Sequence, residues 1–173
     1  MRTAVALAAA AATVVGCNTG TTGLRPGVSS SCSVTFSGAF TGTYDCQPAT
    51  TAYSLIDGDG VFSFGVTQSG SRPQVAVSLA WVGEPQVGSY ANTDVGAVAH
   101  LAVTTSSGAA WLASVGENNV TATGTYLLTF SSVLNNLQTP QGSGYSTDGT
   151  LTATLNAVSG TGATGTVTHT ATF

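Results

Sequence analysis

Hydrophobic and polar residues alternate along much of this chain, which is the pattern of β-strands with one buried face. Phe62, Phe64 and Val66 alternate with small or polar residues, and the run from Val75 to Trp81 does the same. The same period returns in four later runs, at residues 101–103, 111–115, 126–130 and 151–155. Gly, Pro, Asn and Ser are frequent between the runs, as is typical of turns.

Helical signals are nearly absent, since Thr, Val, Gly and Ser dominate the sequence. Only residues 131–137 offer a helical turn. About nine or ten short strands with frequent turns predict an all-β fold, an antiparallel β-sandwich or a small β-barrel, in a single domain over residues 32–173. The predicted core residues are Phe62, Phe64, Leu79, Trp81, Trp111, Leu128, Phe130 and Leu155.

The last strand is predicted over residues 165–173, where Val167, His169, Ala171 and Phe173 alternate with threonines. Residues 160–165 match the spacing G-x-G-x-x-G of dinucleotide-binding loops. That chemistry requires a helix N-terminus after the loop, and here a strand follows. We therefore expect a glycine-rich hairpin loop and no cofactor.

Charge is scarce in this chain of 173 residues, which has 3 Lys+Arg against 7 Asp+Glu and a formal net charge of −4. The only basic residues besides histidine are Arg2, Arg25 and Arg72, which are too few and too scattered to neutralise a run of phosphates. Nucleic acid is therefore excluded as a partner.

The first sixteen residues have the parts of a secretory signal peptide. Met1 and Arg2 form a short positive region, residues 3–15 are apolar and Gly16 is small. As a helix the apolar stretch would reach only ~20 Å, against a hydrocarbon core of ~30 Å. We therefore expect residues 1–16 to be a signal peptide and not a permanent membrane span.

Val14-Val15-Gly16-Cys17 resembles the lipobox of bacterial lipoproteins. The resemblance implies cleavage before Cys17 and attachment of acyl groups such as palmitate to that residue, which would anchor the protein to a membrane. The alternative is an ordinary signal peptide that is cleaved nearby. In the Gram-negative pattern, Asp after the cysteine favours the inner membrane, so Asn18 favours the outer membrane if the cell has one. Residues 17–31, rich in Gly, Thr and Ser, are predicted to be a lipidated cysteine followed by a flexible tether.

Lipidation of Cys17 leaves Cys32 and Cys46 as a pair. The segment between them is predicted to form a hairpin around a glycine-containing turn, and pairing the two cysteines also pairs Val34 with Tyr44. An exported domain favours oxidation of this pair to a disulfide, and two buried free thiols are the alternative.

Two weaker resemblances concern the whole domain. A terminal Phe173 is similar to the end of outer-membrane β-barrels, but short strands with few aromatic residues count against lipid-facing walls. The layout also resembles that of small exported lipoproteins without an assigned activity. The features that carry this resemblance are a turn at residues 88–90 and a strand at residues 149–155. This second resemblance implies a location and a fold, with no chemistry.

Candidate catalytic or metal-binding residues are few. Residues 57–60, Asp-Gly-Asp-Gly, lack the further oxygen ligands of a calcium loop, so we expect a turn between two strands. His100 and His169 have no clustered ligands, and His169 is expected to be a hydrogen-bonded core or rim residue. No motif indicates a nucleophile with its base. We therefore assign no catalytic, cofactor or metal site.

Five aromatic residues, Trp81, Trp111, Tyr53, Tyr90 and Tyr145, suit either a core or a surface for glycan or lipid. The sequence therefore predicts a non-catalytic envelope lipoprotein whose β domain is a structural or interaction module. The alternatives are a lipid- or glycan-binding sandwich or barrel, a hydrolase and an outer-membrane barrel. No protein partner can be named from the sequence.

Overall fold

The structure, a computed structural model, describes residues 32–46, 50–56, 59–67, 73–94, 98–116, 123–139 and 142–173. These residues form eleven β-strands and no helix, which confirms the prediction of an all-β fold. The sequence predicts about nine or ten strands. The strands are β1 Cys32–Gly38, β2 Gly42–Cys46, β3 Thr50–Ile56, β4 Asp59–Thr67, β5 Gln74–Val82, β6 Gly88–Ala91, β7 Val98–Thr104, β8 Ala110–Val115, β9 Thr125–Thr139, β10 Gly142–Ala157 and β11 Thr166–Thr172.

Six of the strands form a closed ring. In the order β10, β3, β4, β5, β7 and β8, each strand pairs with the next, and β8 pairs again with β10. All of these pairings are antiparallel. Closure satisfies backbone groups that an open sheet would leave at its edges. The ring has the connectivity of a small antiparallel barrel.

β10 is the longest strand and joins this ring to the other strands. Its first half pairs with β3 on one edge and β9 on the other. Its second half pairs with β11 and, at its end, with β8. Gly149 of β10 exchanges backbone hydrogen bonds with Phe173 on one side and lies opposite Phe130 of β9 on the other. One edge of β10 therefore pairs first with β3 and then with β11. The other edge pairs first with β9 and then with β8.

β1 and β2 extend the sheet beyond β11, because β1 pairs with β11 on one side and with β2 on the other. β6 pairs with β9 on the side of β9 away from β10. Residues 158–165 connect β10 to β11, and Gly160, Gly162 and Gly165 have positive φ angles there. This confirms the predicted glycine-rich hairpin loop.

The inner faces of the strands form one continuous core. Residues on the inner faces of neighbouring strands lie opposite each other. For example, Leu79 of β5 is opposite Ala99 of β7, and Leu101 of β7 is opposite Ala113 of β8. Six of the eight predicted core residues are buried, namely Leu79, Trp81, Trp111, Leu128, Phe130 and Leu155. The side chains of Phe62 and Phe64 lie outside the described part of the structure.

Two local predictions were wrong. Residues 131–137, expected to offer a helical turn, belong to β9. Residues 88–90, expected to be a turn, belong to β6, where Tyr90 lies opposite Leu128. In both places the pairing of neighbouring strands overrides the weak local preference of Ser, Asn and Gly.

Candidate functional site

The first hairpin has the predicted register. Cys32 lies opposite Cys46 and Val34 opposite Tyr44. Both cysteines are buried, their Cα atoms are 4.9 Å apart, and a disulfide joins them. The alternation of β1 places Cys32 on the core face together with Val34 and Phe36, so the bond lies at the end of the hydrophobic core.

Cys17, the predicted site of lipidation, lies outside the described residues, as do the signal peptide of residues 1–16 and the tether that follows. These three assignments stay predictions. Within the described ranges, no helix is long and apolar enough to cross a membrane.

The acidic segment at residues 57–60 follows β3, and its last two residues, Asp59 and Gly60, belong to β4. Ile56 is opposite Asp59 in the ladder of β3 and β4, so the two strands pair directly across this segment, and Asp57 and Gly58 are outside the described residues. Across the described residues, no group of three or more His, Cys, Asp or Glu side chains could hold a metal ion.

The two histidines lie on different strands and on opposite faces of the sheet. His100 is exposed on β7, between Ser78 and Ser114 of the neighbouring strands. His169 is 1% exposed on the core face of β11 and packs against the Phe36 ring, with the ring centroids 5.3 Å apart. The prediction of a core position is confirmed.

The hydrogen bond expected for His169 is not found, because neither ring nitrogen has a partner among the described residues. Burial lowers the pKa of the imidazole to about 4, since a charged ring would lose its hydration there. His169 is therefore neutral in the core at neutral pH.

The aromatic residues considered for a binding surface belong largely to the core. Trp81 and Trp111 are buried, and the Trp81 ring packs at 5.2 Å from Tyr90 and 5.8 Å from Tyr126. Burial, with a smaller contribution from Asp94, raises the pKa of the Tyr126 phenol. Tyr53 and Tyr145 are half-buried.

The outer face of β2, β1, β11 and β10 is an ordered array of hydroxyl side chains, which we call the threonine face. It consists of Thr43 and Asp45 on β2, Ser33, Thr35 and Ser37 on β1, Thr166, Thr168, Thr170 and Thr172 on β11, and Thr150, Thr152, Thr154 and Asn156 on β10. Two complete rows cross all four strands: Asp45, Ser33, Thr172, Thr150, and Thr43, Thr35, Thr170, Thr152. Asp45 is the only charged residue of this face.

A groove of about 290 Å³ opens where the threonine face meets β9. It is lined by Thr129, Ser131, Asp148, Gly149, Thr150, Thr172 and Phe173, so Thr150 and Thr172 belong to both features. We call it the Asp148 groove. Asp148 is its only charged side chain, and the Oδ1 atom of Asp148 is buried without a hydrogen-bond partner among the described residues.

A β-bulge shapes the Asp148 groove. Gly149 lies opposite Phe130 and Asp148 opposite Ser132, so Ser131 is the extra residue of β9 at this point. Its hydroxyl donates a hydrogen bond to the backbone oxygen of Asp148, at 3.1 Å. A Cβ atom at position 149 would collide with the backbone oxygen of Thr129, so glycine permits the close approach of β9 and β10.

Sequence reasoning missed both the threonine face and the Asp148 groove. The alternation of Thr with apolar residues in β10 and β11 was a usable signal for the face, because the paired register of two such strands places their threonines in rows. The groove had no local signal, since its residues come from three strands and a bulge.

No known protein family matches this chain, and neither a characterised protein nor a solved structure is similar to it at a significant level.

Proposed function

We propose that this protein is a lipoprotein of the bacterial cell envelope, anchored through acyl groups on Cys17, with a β domain that acts as a non-catalytic structural or interaction module. The observation that carries the proposal is the Cys32–Cys46 disulfide. It accounts for two of the three cysteines, and the third directly follows the lipobox-like residues Val14-Val15-Gly16.

A disulfide is typical of proteins that fold outside the cytoplasm, which is where a signal peptide would deliver this chain. Two or three acyl chains hold a protein stably on a membrane, whereas one chain gives only marginal binding. The fourteen residues 18–31 would span roughly 20 Å as a flexible coil, enough to separate the β domain from the lipid headgroups. Asn18 favours sorting to the outer membrane in a cell that has one.

The domain itself supports the proposed role of an interaction module. Its described interior is filled by hydrophobic side chains in one cluster, while a broad face of the sheet presents hydroxyl groups to solvent. Hydroxyls both donate and accept hydrogen bonds, which suits them to recognition of a polar partner.

Metabolic labelling with palmitate, followed by membrane fractionation, tests the anchor. Wild-type protein should carry label and sediment with membranes, and Cys17→Ser should lose both properties. The matched control is the Cys32→Ser, Cys46→Ser double variant, which lacks the disulfide and should keep the label. Wild-type protein without label, or Cys17→Ser that stays labelled, would refute the anchor.

Separation of inner and outer membranes on a density gradient tests the sorting. The wild-type protein should follow outer-membrane markers, and Asn18→Asp should shift it toward the inner membrane.

Crosslinking in intact cells tests the role as a module. It should join the β domain to an envelope component, and a domain that crosslinks to nothing in the envelope would contradict that role.

A further inference from the structure

We propose that the Asp148 groove and the threonine face together bind an uncharged glycan chain, with one sugar held beside Asp148 and the neighbouring sugars lying across the threonines. This inference goes beyond the membrane anchor and does not depend on it. It rests on the shape and chemistry of the two features and on their shared residues, Thr150 and Thr172.

The groove has the dimensions and the polar groups of a small-ligand site. Its volume of about 290 Å³ is near the lower end of the range for such sites. Thr129, Ser131, Thr150 and Thr172 line the groove with Asp148, and most of its surface is apolar with a few polar groups, as is usual for such sites. Bulges recur where a strand must re-aim side chains beside a functional site, and the extra residue here, Ser131, lines the groove.

Asp148 supplies the strongest acceptor of the groove. A hydrogen bond from a neutral hydroxyl to an ionised carboxylate is charge-assisted and roughly twice as strong as one between neutral groups. Oδ1 of Asp148 is itself buried, so a sugar hydroxyl would bind on the exposed side of this residue.

The threonine face continues from the groove without a break. Thr150 and Thr172 line the groove and also form the end of the row that runs to Ser33 and Asp45. Neighbouring strands lie about 4.8 Å apart, and successive outward residues of one strand lie about 6.7 Å apart. This regular array offers repeated donors and acceptors to a ligand that is itself a repeating polymer.

Charge distinguishes a glycan from the other polymers of the envelope. Apart from Asp45 and Asp148, the side chains of the face and groove are uncharged, and the whole chain carries a formal net charge of −4. Anionic polymers would be repelled, and hydroxyl rows offer nothing to an acyl chain. A neutral polymer rich in hydroxyl groups matches both features.

Isothermal titration calorimetry with the full-length protein in detergent tests the proposal, using maltohexaose, cellohexaose, mannohexaose and chitohexaose as probes. At least one of them should bind. Asp148→Asn, which keeps the shape and removes the charge, should weaken that binding about ten- to a hundredfold. Glu84→Gln is the matched control, because it removes an exposed carboxylate from the loop after β5 and should leave binding unchanged.

Thr170→Lys tests the extended part of the site, because Thr170 lies in the middle of the second row. A long charged side chain there should weaken binding of the hexasaccharide and leave the disaccharide of the same sugar unaffected. If the Asp148→Asn variant does not fold, Thr172→Val serves as the second test of the groove. This substitution removes one hydroxyl group from the groove and keeps the shape of the side chain.

Failure of all four hexasaccharides to bind would overturn the proposal. So would affinities unchanged in both Asp148→Asn and Thr170→Lys. Binding of spermine that depends on Asp148, in a protein that binds none of the saccharides, would assign the groove to cationic amines instead. Palmitate labelling of Cys17 is independent of each of these results, so the two proposals can fail separately.

Discussion

The buried imidazole of His169 makes the stability of the domain sensitive to acid. In the folded protein, burial lowers the pKa of His169 from 6.5 to about 4. The unfolded chain therefore binds a proton that the folded domain does not, throughout the interval between these two values. Above pH 6.5 both states hold a neutral imidazole and no stability is lost.

The loss grows as the pH falls through this interval and is complete near pH 4. A difference of one pKa unit is equivalent to about 1.4 kcal/mol, so the full interval is equivalent to about 3 kcal/mol. For a domain of this size that is a large part of a typical free energy of unfolding, about 5–15 kcal/mol.

Urea unfolding at a series of pH values measures the effect, with the fluorescence of the buried Trp81 and Trp111 as the signal. Other groups also titrate in this interval, so the informative quantity is the difference between wild type and His169→Phe. We expect this difference in unfolding free energy to change by about 3 kcal/mol between pH 6.5 and pH 4, in favour of the variant.

His100→Gln provides the control, because it removes an exposed histidine from β7 and should follow the wild-type curve. A difference between wild type and His169→Phe that stays constant across the interval would refute the reasoning. It would mean that the imidazole finds a proton acceptor or water in the folded domain.

Three further predictions concern the packing of the domain. Cys46→Ser should lower the unfolding free energy by about 3 kcal/mol, because the disulfide closes a loop with a sequence separation of 14, and wild type under reducing conditions should match it. Leu128→Ala should cost about 2–5 kcal/mol in urea unfolding, whereas Leu127→Ala on the exposed side of the same strand should cost less than 1 kcal/mol. Thr51→Val should cost about 1–3 kcal/mol by leaving the buried Thr147 hydroxyl without its partner at 3.1 Å, and adding Thr147→Val should recover part of that loss in a double-mutant cycle.

Much of the strand pattern could be predicted, because alternation of apolar and polar residues is a local property. The register of the first hairpin followed from the two cysteines and the side-chain period, and the structure confirms it. The last strand and its glycine-rich loop were equally accessible, since Val167, His169 and Ala171 alternate with threonines up to the last residue of the chain.

The second half of β9 could not be predicted, because two bulges disturb its period. Register shifts occur opposite Asp148 and opposite Gly144, where Ser131 and Asn136 are the extra residues. Each inserted residue reverses the faces of the residues that follow. Alternation is lost as a result, and Val133, Leu134 and Leu137 take a spacing that imitates a helix.

The groove and the buried state of His169 depend on contacts between distant parts of the chain. Thr129 and Thr172 meet only because β10 pairs with β9 on one edge and β11 on the other. The sequence places His169 on an apolar face, but the absence of a hydrogen-bond partner among the described residues follows from what packs against it. Local patterns carry no information on either point.

The position of β11 has a consequence for the order in which the domain can form. The first hairpin can close early, since Cys32 and Cys46 are near in sequence, yet β1 finds its second neighbour only in β11, where Ser33 pairs with Thr172. Pairings across such a separation make folding slow. The disulfide-bonded hairpin of β1 and β2 therefore joins the rest of the sheet only after β11 has formed, so its docking is a late step in the assembly of the domain.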